Sequence, residues 1–327
     1  MHILITGAAG MIGRKLIEQL IVDRALNEQP IEKLTLMDIV TPTRPAGFSD
    51  YTKVRTGDLA DPAIAMKAVS ERPDVIIHLA GVVSGEAELN LEKGYHVNLD
   101  GTRSLLEAIR KTGDGYKPRV IFTSSIAVFG APFPHTIPDE FHLTPLTSYG
   151  AQKVMCEQML ADYTRKGILE GVGIRLPSIV VRPGKPNKAA SGFFSGIIRE
   201  PLNGEEAQLP VADTVMHTHA SPRSAVGFLI HAAGLAREKI EPRINLTMPG
   251  VCCTVAEQIE ALRRVAGDKV AARIRREPDE LIVRIVAGWP HRFEAKRSTE
   301  LGFVAESSFD EIIRVHIEED RGGSFVK

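Results

Sequence analysis

Three glycines at regular spacing follow the first apolar run of the chain, and this feature constrains the fold more than any other. The run HILIT leads directly into TGAAGMIG and then into a helical pattern. Glycines at a strand-to-helix turn allow a tight bend and a close approach of the main chain to a phosphate, which the free N–H groups and dipole of the helix N-terminus stabilise. The turn therefore predicts a dinucleotide site at Gly7, Gly10, Met11, Ile12 and Gly13.

Short β-rich runs alternate with helical runs in the first half of the chain, as expected for a parallel sheet with helices on both faces. The expected strands are HILIT, KLTLMDI, DVIIHLA, RVIFTSS and VGIRLPSIVV; the expected helices are GRKLIEQLIVDRAL, AIAMKAVSE, NLDGTRSLLEAIRKT and QKVMCEQMLADYTRKG. After about Pro177, Pro- and Gly-rich loops interrupt this pattern. We predict an α/β protein with a doubly wound parallel Rossmann sheet in residues 1–176. A smaller substrate-binding domain should occupy most of residues 177–327, with some segments returning to the first domain.

An aspartate at the end of the second expected strand indicates which dinucleotide binds. Asp38 lies 25 residues beyond Gly13, near the offset of an acid that hydrogen-bonds the adenosine ribose, and its charge repels a 2′-phosphate. NAD is therefore favoured over NADP. Asp58 and Leu59 in GDLAD are candidates for the adenine side, although turn preference explains Asp58 equally well.

The overall composition disfavours several classes of partner. Forty basic and forty-one acidic residues leave a formal net charge of -1, so no strong field draws the chain to nucleic acid or to an anionic membrane. We find no apolar run long enough to span a bilayer and no signal-peptide pattern. Three cysteines without CxxC spacing indicate neither a disulfide framework nor a zinc site. These features predict a cytoplasmic protein that acts on a small molecule.

A tyrosine and a lysine stand four residues apart in SYGAQK, at the start of an expected helix. Residues i and i+4 share a helix face with Cβ atoms about 5–6 Å apart, so Tyr149 and Lys153 should be neighbours. The spacing alone is more often that of an ordinary surface pair. Its meaning depends on the surrounding motifs.

Six motifs occur in an order that resembles the extended short-chain dehydrogenase/reductase family, the NAD-dependent epimerases and dehydratases, over essentially the whole chain. They are TGAAGMIG, GDLAD, HLAG, NLDGT, TSSIAVFG and SYGAQK. The resemblance implies bound NAD and a catalytic set of Ser125, Tyr149 and Lys153. The further cofactor contacts predicted are Leu79, Ala80, Gly81, Asn98, Tyr149, Lys153 and Pro177. For Asn98, a bracing role between helix and strand is equally open. We also predict a homodimer.

Each member of the implied catalytic set has a chemical role. A phenol, with an ordinary pKa of about 10, is a poor base near neutral pH, but a nearby ammonium group and a cationic nicotinamide ring favour the phenolate. Tyr149 is expected to take the substrate's hydroxyl proton, and Lys153 to favour this and to hold the nicotinamide ribose. Ser125 is expected to hydrogen-bond the reacting oxygen. Ser124 should point to the opposite strand face and be structural.

The residues after Ser125 narrow the reaction. Dehydrating members of the family resemble one another in an Asp-Glu pair where this chain has Ile126 and Ala127, so dehydration is disfavoured. SSIAVFG and GWPHRFEAKRSTELGF resemble the L-threonine 3-dehydrogenase branch. GVVSGEAE and RLPSIVVRPGKPNKAASGFFSG are more similar still to the branch that oxidises D-erythronate. We therefore expect NAD-dependent oxidation of a small hydroxy acid, D-erythronate first among the candidates, to a 2-oxo acid.

A small sugar acid needs hydrogen-bond donors for its carboxylate, because a buried anion without partners is costly to bind. Ligands in open α/β folds lie beyond the carboxyl ends of the strands, and loops after two expected strands carry suitable donors. The predicted substrate contacts are Ser84, Ser125, Tyr149, Lys185 and Lys188. Each of the two lysines is equally explained as a solvated loop residue.

Three other functions stay open at this point: a nucleotide-sugar epimerase, an enzyme resembling L-threonine 3-dehydrogenase, and a catalytically silent NAD-binding scaffold. The family's acidic pair is replaced in HTHASPRSA by Ser221, Pro222 and Arg223, which argues against nucleotide-sugar binding. His217 and His219 in the same stretch have the residue type of metal ligands but lack a third ligand. We predict that they are strand residues, one of them near the substrate, and that no metal binds.

Overall fold

The computed structural model describes residues 1–184 and 190–326. Its strands are β1 (His2–Thr6), β2 (Ala25–Leu26), β3 (Gln29–Pro30), β4 (Lys33–Asp38), β5 (Thr52–Thr56), β6 (Val75–His78), β7 (Arg119–Ser125), β8 (Glu170–Leu176), β9 (Ser178–Ile179), β10 (Ala207–Leu209), β11 (Met216–Ala220), β12 (Asn245–Thr247), β13 (Val251–Thr254) and β14 (Ile274–Arg276). Its helices are α1 (Met11–Asp23), α2 (Pro62–Val69), α3 (Ser84–Leu89), α4 (Leu91–Gly94), α5 (Gly101–Thr112), α6 (Ser148–Arg165), α7 (Gly192–Asn203), α8 (Pro222–Gly234), α9 (Arg237–Ile240), α10 (Val255–Ala266), α11 (Asp268–Ala271), α12 (Glu280–Ala287), α13 (Lys296–Glu300) and α14 (Phe309–Arg321).

The chain forms two compact units. The first comprises Met1–Val128, Thr147–Arg175 and Val226–Thr247, and the second comprises Phe129–Leu146, Leu176–Ala225 and Met248–Lys327. The chain therefore passes from one unit to the other five times, and one of these passages lies between Arg175 and Leu176. The assignment of the cofactor to one unit and the substrate to the other stays a prediction.

A seven-stranded sheet in the order β12-β8-β7-β6-β1-β4-β5 organises the first unit. The pairs β1/β4, β1/β6, β4/β5, β6/β7 and β8/β12 are parallel. Its central strands are nearly continuous apolar runs because helices cover both faces of such a sheet, and β1 is buried at all five positions. The strand order proceeds outward from β1 in both directions, so the predicted doubly wound α/β fold is confirmed.

The register of the parallel strands brings their carboxyl ends to one edge of the sheet. Thr6 pairs with Met37 on one side and with His78 on the other, and His78 pairs with Phe122. The glycine turn, the end of β4, the loop after β6 and the end of β7 therefore follow one another along this edge. Ligands of open α/β sheets bind at such an edge.

The second unit has its own apolar core and its own small sheets. Strands β13, β11 and β9 form one sheet, and β10 pairs with β14. Helices α7, α10 and α14 contribute fully buried residues to the core, among them Phe194, Leu262 and Ile313. This unit can therefore bury apolar side chains independently of the seven-stranded sheet.

The structure also bears on membrane spans, on the cysteines and on the arginines of residues 262–277. No helix in the described ranges is both long and apolar enough to cross a bilayer. The three cysteines are free thiols. Within residues 262–277, Arg264 pairs with Asp310 at 2.6 Å and Arg276 pairs with Asp213 at 2.6 Å, so both arginines have acidic partners.

Candidate active site

The glycine turn between β1 and α1 has no space for side chains at two of its positions. Gly7 has a φ of 75°, in the left-handed region, and a Cβ there would lie 2.6 Å from the main-chain nitrogen of Ala80. A Cβ on Gly13 would lie 2.4 Å from the carbonyl oxygen of Gly7. Both distances are well inside van der Waals contact, so only glycine permits this approach of turn, helix and neighbouring loop.

The start of α1 leaves main-chain donors available. Gly10 precedes the helix in an extended conformation, with no side-chain cap and no acidic residue in the first turn. The Gly10 N–H itself donates to the Gly7 carbonyl at 3.1 Å. The first-turn N–H groups, including those of Met11, Ile12 and Gly13, have no intrahelical acceptor, and together with the helix dipole they suit an anion.

Asp38, the last residue of β4, is held beside the glycine turn. Its Oδ2 accepts a hydrogen bond from the Ala9 N–H at 2.9 Å, and its Oδ1 accepts one from the Val40 N–H at 3.3 Å. The carboxylate thus stands at the edge where a ribose-binding acid is needed.

Asp58, after β5, has both carboxylate oxygens engaged by the protein. Oδ1 accepts from the Ala60 N–H at 2.9 Å, and Oδ2 lies 2.8 Å from His96 Nε2. Burial by itself raises the pKa of Asp58. The hydrogen bonds from the Ala60 N–H and the His96 ring outweigh this effect and hold the pKa of Asp58 below its ordinary value. These contacts are the ones expected if Asp58 is a turn residue, the alternative to an adenine contact. Leu59 is buried in the core of the first unit, which leaves its main chain for any ligand contact.

The loop after β6 continues the edge beside the glycine turn. The Leu79 N–H donates to the Thr6 carbonyl at 3.0 Å, and Leu79 and Ala80 are half-buried. Gly81 is exposed, and a Cβ there would lie 2.9 Å from Asn98 Oδ1. The loop therefore presents main chain and not bulky side chains at the predicted cofactor position.

Asn98 braces this loop against α6. It is 2% exposed and lies in a π-helical segment, Tyr95–Asp100. Its Oδ1 accepts from the Val82 N–H at 2.9 Å, and its Nδ2 donates to Gln152 Oε1 at 2.7 Å. Asn98 was considered either as a cofactor contact or as a brace between helix and strand, and these hydrogen bonds are the ones expected of a brace. Gln152 was not identified from the sequence, although it directly precedes Lys153.

Tyr149 and Lys153 occupy the first turns of α6, whose N-cap is the Thr147 hydroxyl. Lys153 is 5% exposed. Its Nζ donates to the Thr123 carbonyl at 2.8 Å and lies 5.6 Å from the centroid of the Tyr149 ring and 4.8 Å from that of Phe122. The tyrosine and lysine are therefore neighbours on one helix face, and the ammonium group is fixed among a carbonyl and two aromatic rings.

Ser125 ends β7 half-buried, and its Oγ accepts a hydrogen bond from the Ala127 N–H at 3.2 Å. Ser124 is buried, and its Oγ donates to Glu157 Oε1 at 2.5 Å. Successive residues of a strand point to opposite faces, so the two serines have different surroundings. Ser124 has the internal contact expected of a structural residue.

A buried histidine beside this set was not identified from the sequence. His78 Nδ1 lies 2.6 Å from Thr6 Oγ1, and Nε2 lies 3.0 Å from Thr102 Oγ1. Burial, with the charge of Lys153 as a smaller cause, lowers the pKa of His78 to about 3. His78 is therefore neutral near pH 7 and adds no second positive charge beside Lys153. Its position at the end of the apolar run VIIH was the signal in the sequence.

The predicted substrate residues that the structure describes, Ser84, Ser125 and Tyr149, belong to the first unit. Ser84 begins α3, half-buried, in the first unit. Pro177, predicted to contact the cofactor, is buried between β8 and β9 in the second unit. Lys185 and Lys188 lie outside the described residues. Recognition of the carboxylate by these residues stays a proposal.

His217 and His219 lie on β11, as predicted, within an aromatic cluster. His217 Nε2 is 2.8 Å from Ser178 Oγ, and its ring stacks on Phe194 at 5.3 Å. His219 Nε2 is 3.0 Å from Gln258 Nε2. Burial lowers the pKa of His217 to about 4 and that of His219 well below its usual value. Across residues 1–184 and 190–326, no group of three or more His, Cys, Asp or Glu side chains could hold a metal ion.

Ser221 takes the place of the family's acidic pair and acts as a helix cap. Its Oγ accepts from the Ser224 N–H at 3.0 Å, at the start of α8. The carboxylate of Glu306 accepts hydrogen bonds from both the Ser221 hydroxyl and its N–H, the latter at 3.1 Å. A carboxylate therefore does reach this position, but from a distant part of the chain.

The residues at the edge of the sheet fit NAD. Glycine at position 7 lets the turn approach the main chain of Ala80 closely, and the uncapped start of α1 offers donors to a pyrophosphate. Asp38 is placed to accept from a ribose hydroxyl, and its charge opposes a 2′-phosphate.

Comparison with known proteins agrees with this architecture. The model of the NAD dependent epimerase/dehydratase family matches residues 3–219. The chain is 46% identical to a D-erythronate dehydrogenase of Cupriavidus necator, over 98% of both chains. It is 40% identical to a D-erythronate dehydrogenase of Haemophilus influenzae, over 98% of this chain and 100% of that protein.

Solved structures share the fold. A structure from Agrobacterium tumefaciens, described as a nucleoside-diphosphate-sugar epimerase, is 63% identical with a TM-score of 0.97, over 99% of this chain and 95% of that chain. An L-threonine dehydrogenase of Cupriavidus necator is 22% identical with a TM-score of 0.84, over 97% and 99% of the two chains, and this likeness concerns the fold alone. With the glycine turn, the ordered motifs and the family match in agreement, the chain belongs to the NAD-dependent epimerase/dehydratase family of extended short-chain dehydrogenases/reductases and is an NAD-dependent oxidoreductase.

Proposed function

We propose that this enzyme oxidises a small hydroxy acid with NAD, and that its substrate is D-erythronate, converted to 2-oxo-tetronate. The observation that carries the proposal is the similarity, over nearly the whole length, to two D-erythronate dehydrogenases. Ile126 and Ala127, at the positions where dehydrating relatives have acid and base, argue in addition against dehydration.

In the proposed reaction, the Tyr149 oxygen takes the proton of the substrate's C2 hydroxyl, and the Ser125 hydroxyl donates a hydrogen bond to that oxygen as charge develops on it. Lys153 favours the phenolate because a buried ammonium group interacts strongly with a nearby negative charge. The hydrogen bond of Lys153 to the Thr123 carbonyl, at 2.8 Å, keeps the ammonium in place. NAD, when bound, supplies the acceptor for the hydride from C2.

The substrate carboxylate is the group that distinguishes a sugar acid from other small alcohols. We propose that Ser84, Lys185 and Lys188 contribute its donors. Charge-assisted hydrogen bonds contribute roughly 1.5–3 kcal/mol, so replacement of a true partner by Ala should raise KM about ten- to a hundred-fold. Each variant is assayed with the acid and with its uncharged amide. If every variant weakens acid and amide equally, none of the three recognises the carboxylate.

A nucleotide-sugar epimerase is the second candidate, because the Agrobacterium tumefaciens structure with that description is more similar in sequence than either D-erythronate dehydrogenase. The two reactions differ in the fate of the hydride. An epimerase returns the hydride to its substrate and keeps its cofactor, whereas a dehydrogenase must exchange reduced for oxidised cofactor at every turnover.

The deciding experiment incubates the purified enzyme and NAD with D-erythronate, L-threonine or UDP-glucose. Reduced-nicotinamide absorbance reports oxidation, and chromatography of the products reports epimerisation. Net reduction with D-erythronate is the expected result. An isomerised nucleotide sugar without net reduction would replace the proposal, and bound NAD with no turnover of any compound would indicate a scaffold. Light scattering on the same preparation checks the predicted homodimer.

A further inference from the structure

A buried ion pair lies on α6, one turn beyond Lys153, and the sequence patterns did not reveal it. Glu157 is fully buried, and Arg175 on β8 is 7% exposed. Arg175 Nε donates to the two Glu157 oxygens at 2.9 and 3.2 Å, and one of its terminal nitrogens donates to Oε2 at 2.8 Å. Ser124 on β7 donates to Oε1 at 2.5 Å. We name Ser124, Glu157 and Arg175 the Glu157 network.

The Glu157 network is attached to both parts of the proposed catalytic set. Tyr149, Lys153 and Glu157 stand at i, i+4 and i+8 and therefore lie along one face of α6. Ser124 directly precedes Ser125 on β7. One carboxylate thus connects the helix that carries the tyrosine and lysine to the strand end that carries the serine.

Stability alone does not account for such an arrangement. Replacement of a buried ion pair by apolar residues of similar size is often neutral or stabilising, because removing two charges from water is costly. A guanidinium–carboxylate fork with an additional hydroxyl donor instead fixes distance and angle. Geometry matters in this place, since a displacement of about 1 Å caused by a remote change can lower the rate about 10²-fold.

We propose that the Glu157 network is a positioning device that sets the location of Ser125 relative to Tyr149 and Lys153. The proposal rests on the catalytic roles proposed above for those three residues. Glu157 itself is fully buried and acts through its neighbours, so it is a positioning residue. Ser124 is the link that can be removed without leaving either charge of the ion pair unpaired.

The test compares two variants that each remove one buried hydroxyl in contact with α6. Ser124→Ala removes the link to β7 and leaves the Glu157–Arg175 pair in place. Thr164→Val is the matched control: Thr164 is buried in the last turn of α6, where its hydroxyl accepts from the Gly171 N–H at 3.1 Å. Measurements are kcat, KM, the Kd for NAD, the thermal midpoint, and amide hydrogen exchange of residues 148–153.

Ser124→Ala should lower kcat about ten- to a hundred-fold, with KM and the Kd for NAD within about two-fold, and should speed amide exchange at the start of α6. Thr164→Val should lower the thermal midpoint about as much as Ser124→Ala does, but it should change neither kcat nor amide exchange at the start of α6. Unchanged kcat and exchange in Ser124→Ala, or equal effects in both variants, would overturn the proposal.

Failure of the proposal for the Glu157 network can be distinguished from failure of the proposed substrate. If the wild-type enzyme oxidises another compound of the panel and not D-erythronate, the variants are compared with that compound, and only the substrate proposal fails. If no compound is turned over, amide exchange still decides, because faster exchange confined to residues 148–153 in Ser124→Ala is required and its absence rejects the network.

Discussion

Tyr149 differs from phenylalanine by a single oxygen atom, and that oxygen is the proposed proton acceptor. Tyr149→Phe should therefore lower kcat by about 10²–10⁴-fold, the usual contribution of a general base. The Kd for NAD, measured by calorimetry, should stay within a few-fold because the ring remains. Tyr163→Phe on the same helix is the control: its hydroxyl donates to Glu107, and kcat should be unchanged. Full activity of Tyr149→Phe would reject the proposed mechanism.

Asp38 combines a hydrogen bond to the glycine turn with a negative charge, and two substitutions separate these functions. Asp38→Asn retains an acceptor for the Ala9 N–H, 2.9 Å away, and loses the charge, so it should relax the preference for NAD over NADP. Asp38→Ala should in addition weaken NAD binding about ten-fold or more, since charge-assisted bonds are lost. Titration of both variants with NAD and NADP provides the measurement. If both variants keep the wild-type preference for NAD over NADP, Asp38 does not contact the ribose.

At the scale of single elements, Asn98 connects the loop after β6 to α6. Asn98→Ala removes the hydrogen-bond partner of the Val82 N–H and of the Gln152 side chain. Each polar group left unsatisfied in the interior should cost about 1–3 kcal/mol of stability. The free energy of unfolding, measured with urea, should fall accordingly. Asn90→Ala is the control: it removes an exposed cap that accepts from the Lys93 N–H at 2.9 Å and should cost about 1 kcal/mol. Equal losses in the two variants would show that Asn98 is not a brace.

Elements with a strong local pattern could be predicted from the sequence, and elements defined by pairing could not. HILIT, DVIIHLA and RVIFTSS are apolar because they are covered on both faces, and they form β1, β6 and β7. The patterns do not predict the edge strands β5 and β12, because TKVRT contains one apolar residue and NLT is three residues long. Both become strands through their neighbours β4 and β8.

The candidate site shows the same division. The glycine turn, Asp38 and the Tyr149–Lys153 spacing are local patterns with a direct chemical meaning, so the sequence alone predicts them as site residues. The Glu157 network joins residues from α6, β7 and β8 that are far apart in sequence, and no spacing rule applies to it. A single arginine in the otherwise apolar run VGIRLP was its one visible signal.

At the scale of the whole molecule, buried histidines make stability depend on pH. Burial lowers the pKa of His78 to about 3 and that of His217 to about 4, whereas an unfolded histidine has a pKa of about 6.5. As the pH falls below about 6.5, the unfolded chain binds protons that the folded chain does not, so stability is lost. His78 and His217 should each lower the free energy of unfolding by about 2 kcal/mol at pH 5, compared with neutral pH.

Urea unfolding between pH 7 and pH 5 measures this dependence. His78→Gln should reduce the slope of unfolding free energy against pH, while His135→Gln, at an exposed position, should leave the slope unchanged. A stability independent of pH in this interval, or one slope shared by both variants, would contradict the prediction.

The five passages of the chain between its two units restrict how such a protein can be altered in evolution. The first unit lacks its edge strand β12 until Thr247 has been synthesised, and a gene fragment ending near residue 176 would leave β8 as an uncovered edge open to aggregation. The second unit is encoded in three separated stretches of the gene. A single crossover between related genes therefore cannot transfer that unit intact, and new specificities are expected to arise by point substitution within a lineage.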